Sequence, residues 1–278
     1  METLNWTWKS FDGLEMASLG WAPEGRPRAA IVLVHGLGEH CQRYAHVGAK
    51  LAEKGYALLG FDLRGHGRSG GPRGHAPSFE AFLKDIDEMF AQASARYPGV
   101  RQFIYGHSLG GVLVLNYVLR RKPALAGAVV TSAALRTALE DQKTKVAMVK
   151  MLGSLLPSVS LASGLDAEML SHDHAVVDRY RQDPLVHDRV SFGMGKGLLS
   201  ASQWAIDHAG EFSIPLLIMH GTEDGIALER GTREFAARVK QGVTLKFWEG
   251  MYHETHNEPD KEQVFALLLA WLDDHLKG

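Results

Sequence analysis

The chain alternates between short apolar runs and longer amphipathic stretches, in the order strand, helix, strand for most of its length. Residues 3–20 alternate loosely around Asp12-Gly13, a dipeptide suited to a hairpin turn. Thr3–Phe11 and Leu14–Leu19 therefore read as a two-stranded antiparallel start, and Pro23, Gly25 and Pro27 end it. Ala29–Val34 is continuously apolar, the pattern of a strand buried on both faces. Tyr44–Lys54 reads as a helix stopped by Gly55, and Tyr56–Phe61 as the next strand. Phe79–Tyr97 is amphipathic and helical, ending before Pro98-Gly99. Gln102–Tyr105 (strand), Val112–Leu119 (helix) and Gly127–Thr131 (strand) follow. The rhythm resumes late in the chain with strands at Pro215–Met219 and Val243–Trp248 and helices at Glu229–Val239 and Glu262–Leu276. This order predicts an α/β fold: a mostly parallel sheet with helices on both faces. Ligands of such sheets bind at the carboxyl ends of the strands, so the loops there share one rim.

The rhythm fails between 135 and 205. Strand-like runs disappear, and Val146–Leu156 carries apolar residues at helical spacing. Pro157–Ser160 reads as a break, Asp178–Pro184 is polar, and Phe192–Ser200 is rich in Gly and Leu. We read 135–205 as an inserted helical cap over the rim, with the core formed by 1–134 and 206–278. Met148, Met151, Met169 and Met194 lie in it. Two readings of them stand: filling of an ordinary core, or a flexible apolar lid for a lipid-like substrate.

At 278 residues and 45% apolar content the chain fits one large domain with an insertion. A net charge of −2 leaves no basic footprint, so no nucleic-acid partner is expected. Cys41 stands alone and excludes an internal disulfide. Met1–Gly20 lacks the pattern of a secretory leader, and no apolar run approaches the roughly 20 residues that span a bilayer. A soluble cytoplasmic protein is expected, with peripheral membrane contact left open.

The sharpest chemical signal is Gly106-His107-Ser108-Leu109-Gly110, between a strand and a helix. This is the context of a nucleophile elbow. The glycines admit a tight turn that lifts the Ser hydroxyl to a helix N-terminus, where free N–H groups favour an oxyanion. A Ser needs a base, commonly a His oriented by a carboxylate. Asp224 and His253 follow Ser108 in the order such folds use, each after one of the last two strands. Glu223 rivals Asp224 and His256 rivals His253. The oxyanion donors are expected to be the N–H groups of Leu109, next to the nucleophile, and Leu37, after His35-Gly36. His35 more naturally braces its loop than takes part in chemistry. His172 and His174 flank Asp173, but an isolated H-x-H is weak evidence for a metal. No metal or cofactor is expected.

His35-Gly36-Leu37-Gly38-Glu39-His40, Asp62–Ser69 and the elbow together resemble the monoacylglycerol lipases, serine hydrolases of the α/β-hydrolase fold with lysophospholipase-like relatives. The resemblance extends to Tyr180-Arg181-Gln182-Asp183-Pro184-Leu185 and Glu249-Gly250-Met251-Tyr252-His253. It implies a cap over an acyl tunnel, a glycerol pocket, and an enzyme that cleaves monoacylglycerol to glycerol and fatty acid. It also implies that Glu39, Arg43, His107 and Tyr180 line the alcohol side. For Glu39 and Arg43 a loop-fixing salt bridge is an equal alternative, and for Tyr180 simple cap packing is. Asp62, Arg64 and His66 read as loop architecture. A broader carboxylesterase or lysophospholipase, and a hydrolase-like binding protein without catalysis, are the other readings. Transient contact of the cap with a membrane or micelle is left open.

Overall fold

The computed structural model describes residues 1–276. One eight-stranded sheet organises it, in the order β1-β2-β4-β3-β5-β6-β9-β10. The strands are β1 (Glu2–Lys9), β2 (Glu15–Ala22), β3 (Ala29–Val34), β4 (Tyr56–Phe61), β5 (Arg101–His107), β6 (Gly127–Thr131), β9 (Leu216–Gly221) and β10 (Val243–Trp248). From β4 to β10 every neighbouring pair is parallel; β1 and β2 add an antiparallel edge. The helices of the core are α1 (Ala45–Glu53), α2 (Phe79–Arg96), α3 (Leu109–Arg121), α7 (Glu229–Ala236) and α8 (Lys261–Leu276).

The period-two geometry of a strand explains the layering. Val32 and Val34 of β3 join one apolar cluster, with Phe82, Ile86 and Met89 of α2 and Val112 of α3. Ile31 and Leu33 join the other, with Val47 and Leu51 of α1 and Leu268 and Leu272 of α8. Both faces are therefore covered by helices, and the buried strands read as continuous apolar runs. The first hairpin turns one or two residues from its expected position. Gly13, at φ +82°, donates its N–H to Ser10 O at 2.8 Å, so the loop takes Ser10–Leu14.

The segment between β6 and β9 adds no strand to the main sheet. It holds α4 (Lys143–Leu155), α5 (His174–Gln182) and α6 (Phe192–His208). It is not free of strands, contrary to the sequence reading. β7 (Ser160–Ala162) and β8 (Arg189–Ser191) pair antiparallel. Three residues are too few for a period to be legible, and their partners lie about thirty residues apart. α6 continues to His208, beyond the expected boundary at 205, because Ala201, Ala205 and Ile206 are buried in the main core. Asp173 and Ser191 cap α5 and α6 by accepting the N–H groups of Ala175 and Met194.

Candidate active site

β5 and α3 meet at Ser108, whose φ of 54° and ψ of −116° lie outside ordinary helix or strand geometry. The joint exists because its flanks are glycine. A Cβ at Gly106 would lie 2.4 Å from Gly110 O, and one at Gly110 2.0 Å from Val34 O. α3 starts at Leu109, three residues earlier than the apolar pattern alone suggested. Gly110-Gly111 is no helix break here; it lets the helix N-terminus press on β3. Leu109 is the first helical residue, and its N–H has no intrahelical acceptor.

The loops after β9 and β10 bring Asp224 and His253 together. His253 Nδ1 lies 2.7 Å from Asp224 Oδ2. Asp224 Oδ1 accepts the N–H groups of Ile226 and Ala227 at 2.8 and 2.9 Å, and Oδ2 lies 3.0 Å from His220 Nε2. Burial alone would raise this carboxyl's pKa. His253 and His220 outweigh that and hold it well below the usual range, so Asp224 is ionised. Burial likewise disfavours a charged His253, but Asp224, Glu254 and Glu39 carry its pKa above the ordinary imidazole value.

His253 and Ser108 line one cavity with Gly36, Leu37, Glu39, Arg43, His107, Tyr180, Glu254 and the insertion residues Leu165 and Leu170. It holds only about 10 Å³, room for about one water. The structure holds two larger cavities. One, of about 340 Å³, begins at Leu109 and runs between Phe79 and Phe82 of α2 and Gly193, Met194 and Gly197 of α6. The other, of about 710 Å³, shares Arg43 and Tyr180 with the central cavity and is lined by His40, Arg68, Arg179 and Asp183.

This arrangement has clear relatives. Residues 25–260 match the family model described as serine aminopeptidase, S33. The chain is 34% identical over 258 residues to the monoacylglycerol lipase of Mycolicibacterium smegmatis, covering 92% of each. The chain belongs to the monoacylglycerol lipase family. The crystal structure of the Paleococcus ferrophilus monoacylglycerol lipase superposes with a TM-score of 0.86 at 35% identity, over 94% of this chain and 99% of that one. An abhydrolase domain-containing protein of Dictyostelium discoideum is 43% identical over 261 residues, and the chain spans 28% of its length. The family and the α/β-hydrolase fold expected from the sequence are thus borne out.

Within this lipase-family site the two rivals stand apart. Glu223 is exposed, and Asp224 alone reaches His253. His256 is 1% exposed, stacked on Tyr44 at 4.9 Å, and neither ring nitrogen has a partner. Burial pushes its pKa down to about 3. His107 lines the central cavity but is buried, bonded through Nδ1 to Thr131 Oγ1 at 3.0 Å, and kept neutral by burial. His35 braces its loop: Leu63 N–H donates to its Nε2 at 2.8 Å. Asp62 accepts the N–H groups of Cys41 and Arg68, and Arg64 bridges Asp85 and Asp12. His172 bonds Glu258, and among the described residues no group of three or more His, Cys, Asp and Glu could hold a metal.

Glu39 and Arg43 are joined at 2.7 Å, and the Arg43 guanidinium lies 4.8 Å over the Tyr180 ring. Sequence reasoning missed three residues of this neighbourhood: Glu254, which grips Arg43, Glu258, which accepts the His172 and Tyr252 N–H groups, and His220. Two had a positional signal, His220 at the end of β9 and Glu254 directly after His253; nothing local marked Glu258.

Proposed function

We propose that this protein hydrolyses monoacylglycerols to glycerol and a fatty acid through an acyl-enzyme on Ser108. The observation that carries the reading is the His253–Asp224 pair, with His253 and Ser108 lining one small cavity. With Nδ1–H directed at Asp224, Nε2 of His253 takes the Ser108 proton. Ser108 Oγ attacks the ester carbonyl, and the Leu37 and Leu109 N–H groups hold the oxyanion; such a donor is worth about 3 kcal/mol. The intermediate expels glycerol, which leaves with the proton from His253. Water, deprotonated by the same nitrogen, attacks the acyl-enzyme and frees the acid.

The acyl chain takes the chamber beyond Leu109, and glycerol takes the side of Glu39, Arg43, His107 and Tyr180. Residues 135–205 act as the cap. Its later part is stitched to the core: His253 N–H donates to Met169 O, Glu254 N–H to Leu170 O, and His187 N–H to Gly38 O. Its earlier part exposes Met148, Met151, Leu155, Leu156, Val159 and Leu161, with Lys143, Lys145 and Lys150 beside them. Gly153 and Pro157 of this part border the acyl chamber. This face is suited to transient contact with a membrane or micelle, where lipid would enter. Among the described residues no helix is long and apolar enough to cross a membrane.

A lysophospholipase reading has one observation in its favour: three arginines against one aspartate in the polar chamber. Fatty-acid release from matched mono-, di- and triacylglycerols and a lysophospholipid decides. Preference for the monoacylglycerol is expected; equal or faster release from the lysophospholipid would overturn the glycerol assignment.

A further inference from the structure

Arg43 sits between two buried carboxylates that belong to different parts of the site. Its Nη1 and Nη2 donate to Glu254 Oε1 and Oε2 at 2.6 and 2.8 Å, a bidentate pair across 211 residues. Nη1 also reaches Glu39 Oε2 at 2.7 Å. Glu39 Oε1 in turn accepts the Gly36 N–H at 2.7 Å and the Tyr44 hydroxyl at 2.8 Å. Gly36 immediately precedes Leu37, and Glu254 immediately follows His253. One guanidinium thus ties the loop of a predicted oxyanion donor to the loop of the predicted base. The two carboxylate side chains are 2–3% exposed, and Asn257 Nδ2 donates to Glu254 Oε2 at 2.7 Å.

The charge count matters as much as the tether. Two carboxylates against one guanidinium leave one net negative charge buried beside His253. Burial would raise the Glu254 pKa, but Arg43 outweighs it and takes it down to about 2, so Glu254 itself stays ionised through the working range. The other groups facing His253 are Asp224, which adds a second negative charge, and His107 and His256, which burial keeps neutral.

We propose that Glu254 is a positioning residue: gripped by Arg43, it sets the His253 loop against the oxyanion loop and supplies a second carboxylate charge for the imidazolium formed at each proton transfer. The inference rests on the Ser108–His253–Asp224 reading of the site.

The test is the pH profile of kcat/KM for ester hydrolysis in Glu254→Gln and Glu254→Asp. In Glu254→Gln we expect a kcat loss of about tenfold or more and an acid limb moved to lower pH by about half a unit or more, since an imidazole that loses a negative neighbour protonates less readily. Glu254→Asp restores the charge but not the reach, so its limb should return toward wild type while kcat stays low. A Gln variant that folds and keeps the wild-type limb overturns the proposal. Should Glu254→Gln fail to fold by circular dichroism, Glu254→Asp is read alone, and a wild-type kcat there overturns it. Fluorophosphonate labelling of the wild type separates the two levels. No labelling sinks the triad itself, whereas labelling with an unmoved limb sinks only Glu254.

Discussion

The chamber lined by Leu109 and the chamber lined by Arg43 and Tyr180 are built on opposite principles. Beyond Leu109 the walls are Phe79, Phe82, Met194, glycines and prolines, with Lys196 the one charged residue lining the chamber. Beyond Arg43 and Tyr180 the walls carry three arginines, two histidines and an aspartate. The first is suited to binding by exclusion of water, which follows apolar area and is tolerant of detail. The second offers groups that already hold partners, as His40 holds Asp183 at 2.9 Å and Arg68 holds Gln42 at 3.0 Å. Such a side can favour a particular headgroup, because a ligand must compete for groups that are already paired. The expected specificity is therefore loose in acyl length and tight in the alcohol.

The largest effect lies at the seam between the two. Ser108→Ala should lower fatty-acid release by about 10⁴-fold or more, and Asp224→Asn by about 10⁴-fold, with secondary structure retained. Ester hydrolysis persisting in Ser108→Ala would remove the seam on which the comparison depends.

Next comes the apolar side. A Cβ at Gly197 would find its nearest neighbour at 3.8 Å, on Phe79, so a larger residue can grow into the chamber from α6 without touching backbone. Gly197→Phe should cut turnover of long-chain esters about tenfold or more, spare short-chain esters, and hold or raise Tm, since glycine inside a helix costs about 1 kcal/mol. Equal loss on short and long chains would show that the acyl group lies elsewhere.

The buried imidazoles around the site should announce themselves through pH. Burial holds His66, His107 and His256 below the ordinary imidazole range. Their unfolded pKa is about 6.5, so below that pH the unfolded chain binds more protons than the folded one. This contribution to stability is full above about pH 6.5 and falls as the pH is lowered. Tm should decline by several degrees between pH 7 and pH 5, before most carboxylates are protonated. A flat Tm over that interval would mean that these imidazoles are not held neutral.

The smallest effect concerns the outer lip of the apolar chamber. Met151 and Leu155 are 56% and 69% exposed. Met151→Ser with Leu155→Ser should weaken binding to sedimented phosphatidylcholine–phosphatidylglycerol vesicles several-fold, with little change in turnover of a water-soluble short-chain ester. Unchanged sedimentation would leave the lip as surface alone.

Much of this was readable in advance because it is local. Apolar runs and turn residues marked every strand of the main sheet within a few residues, and the glycines around Ser108 marked the joint. Asp224 and His253 were legible because strand ends in a parallel sheet share a rim, so rank along the chain becomes proximity in space. β7 and β8 were not, since three-residue strands carry no period. Glu254 was not, because adjacency to His253, its one signal, does not distinguish it from a solvent-facing acid.

What the sequence alone determined is the order of elements, the elbow, the position of each rim loop and the family. What only the tertiary structure decided is which charges meet. Arg43 finds Glu254 rather than solvent, His256 keeps no partner on either ring nitrogen, and Glu39 accepts the Gly36 N–H from within the cavity lining. The physical reason is reach. Backbone preference and hydrophobic period act over a few residues, whereas a buried ion pair depends on which distant loops the finished sheet brings within about 3 Å.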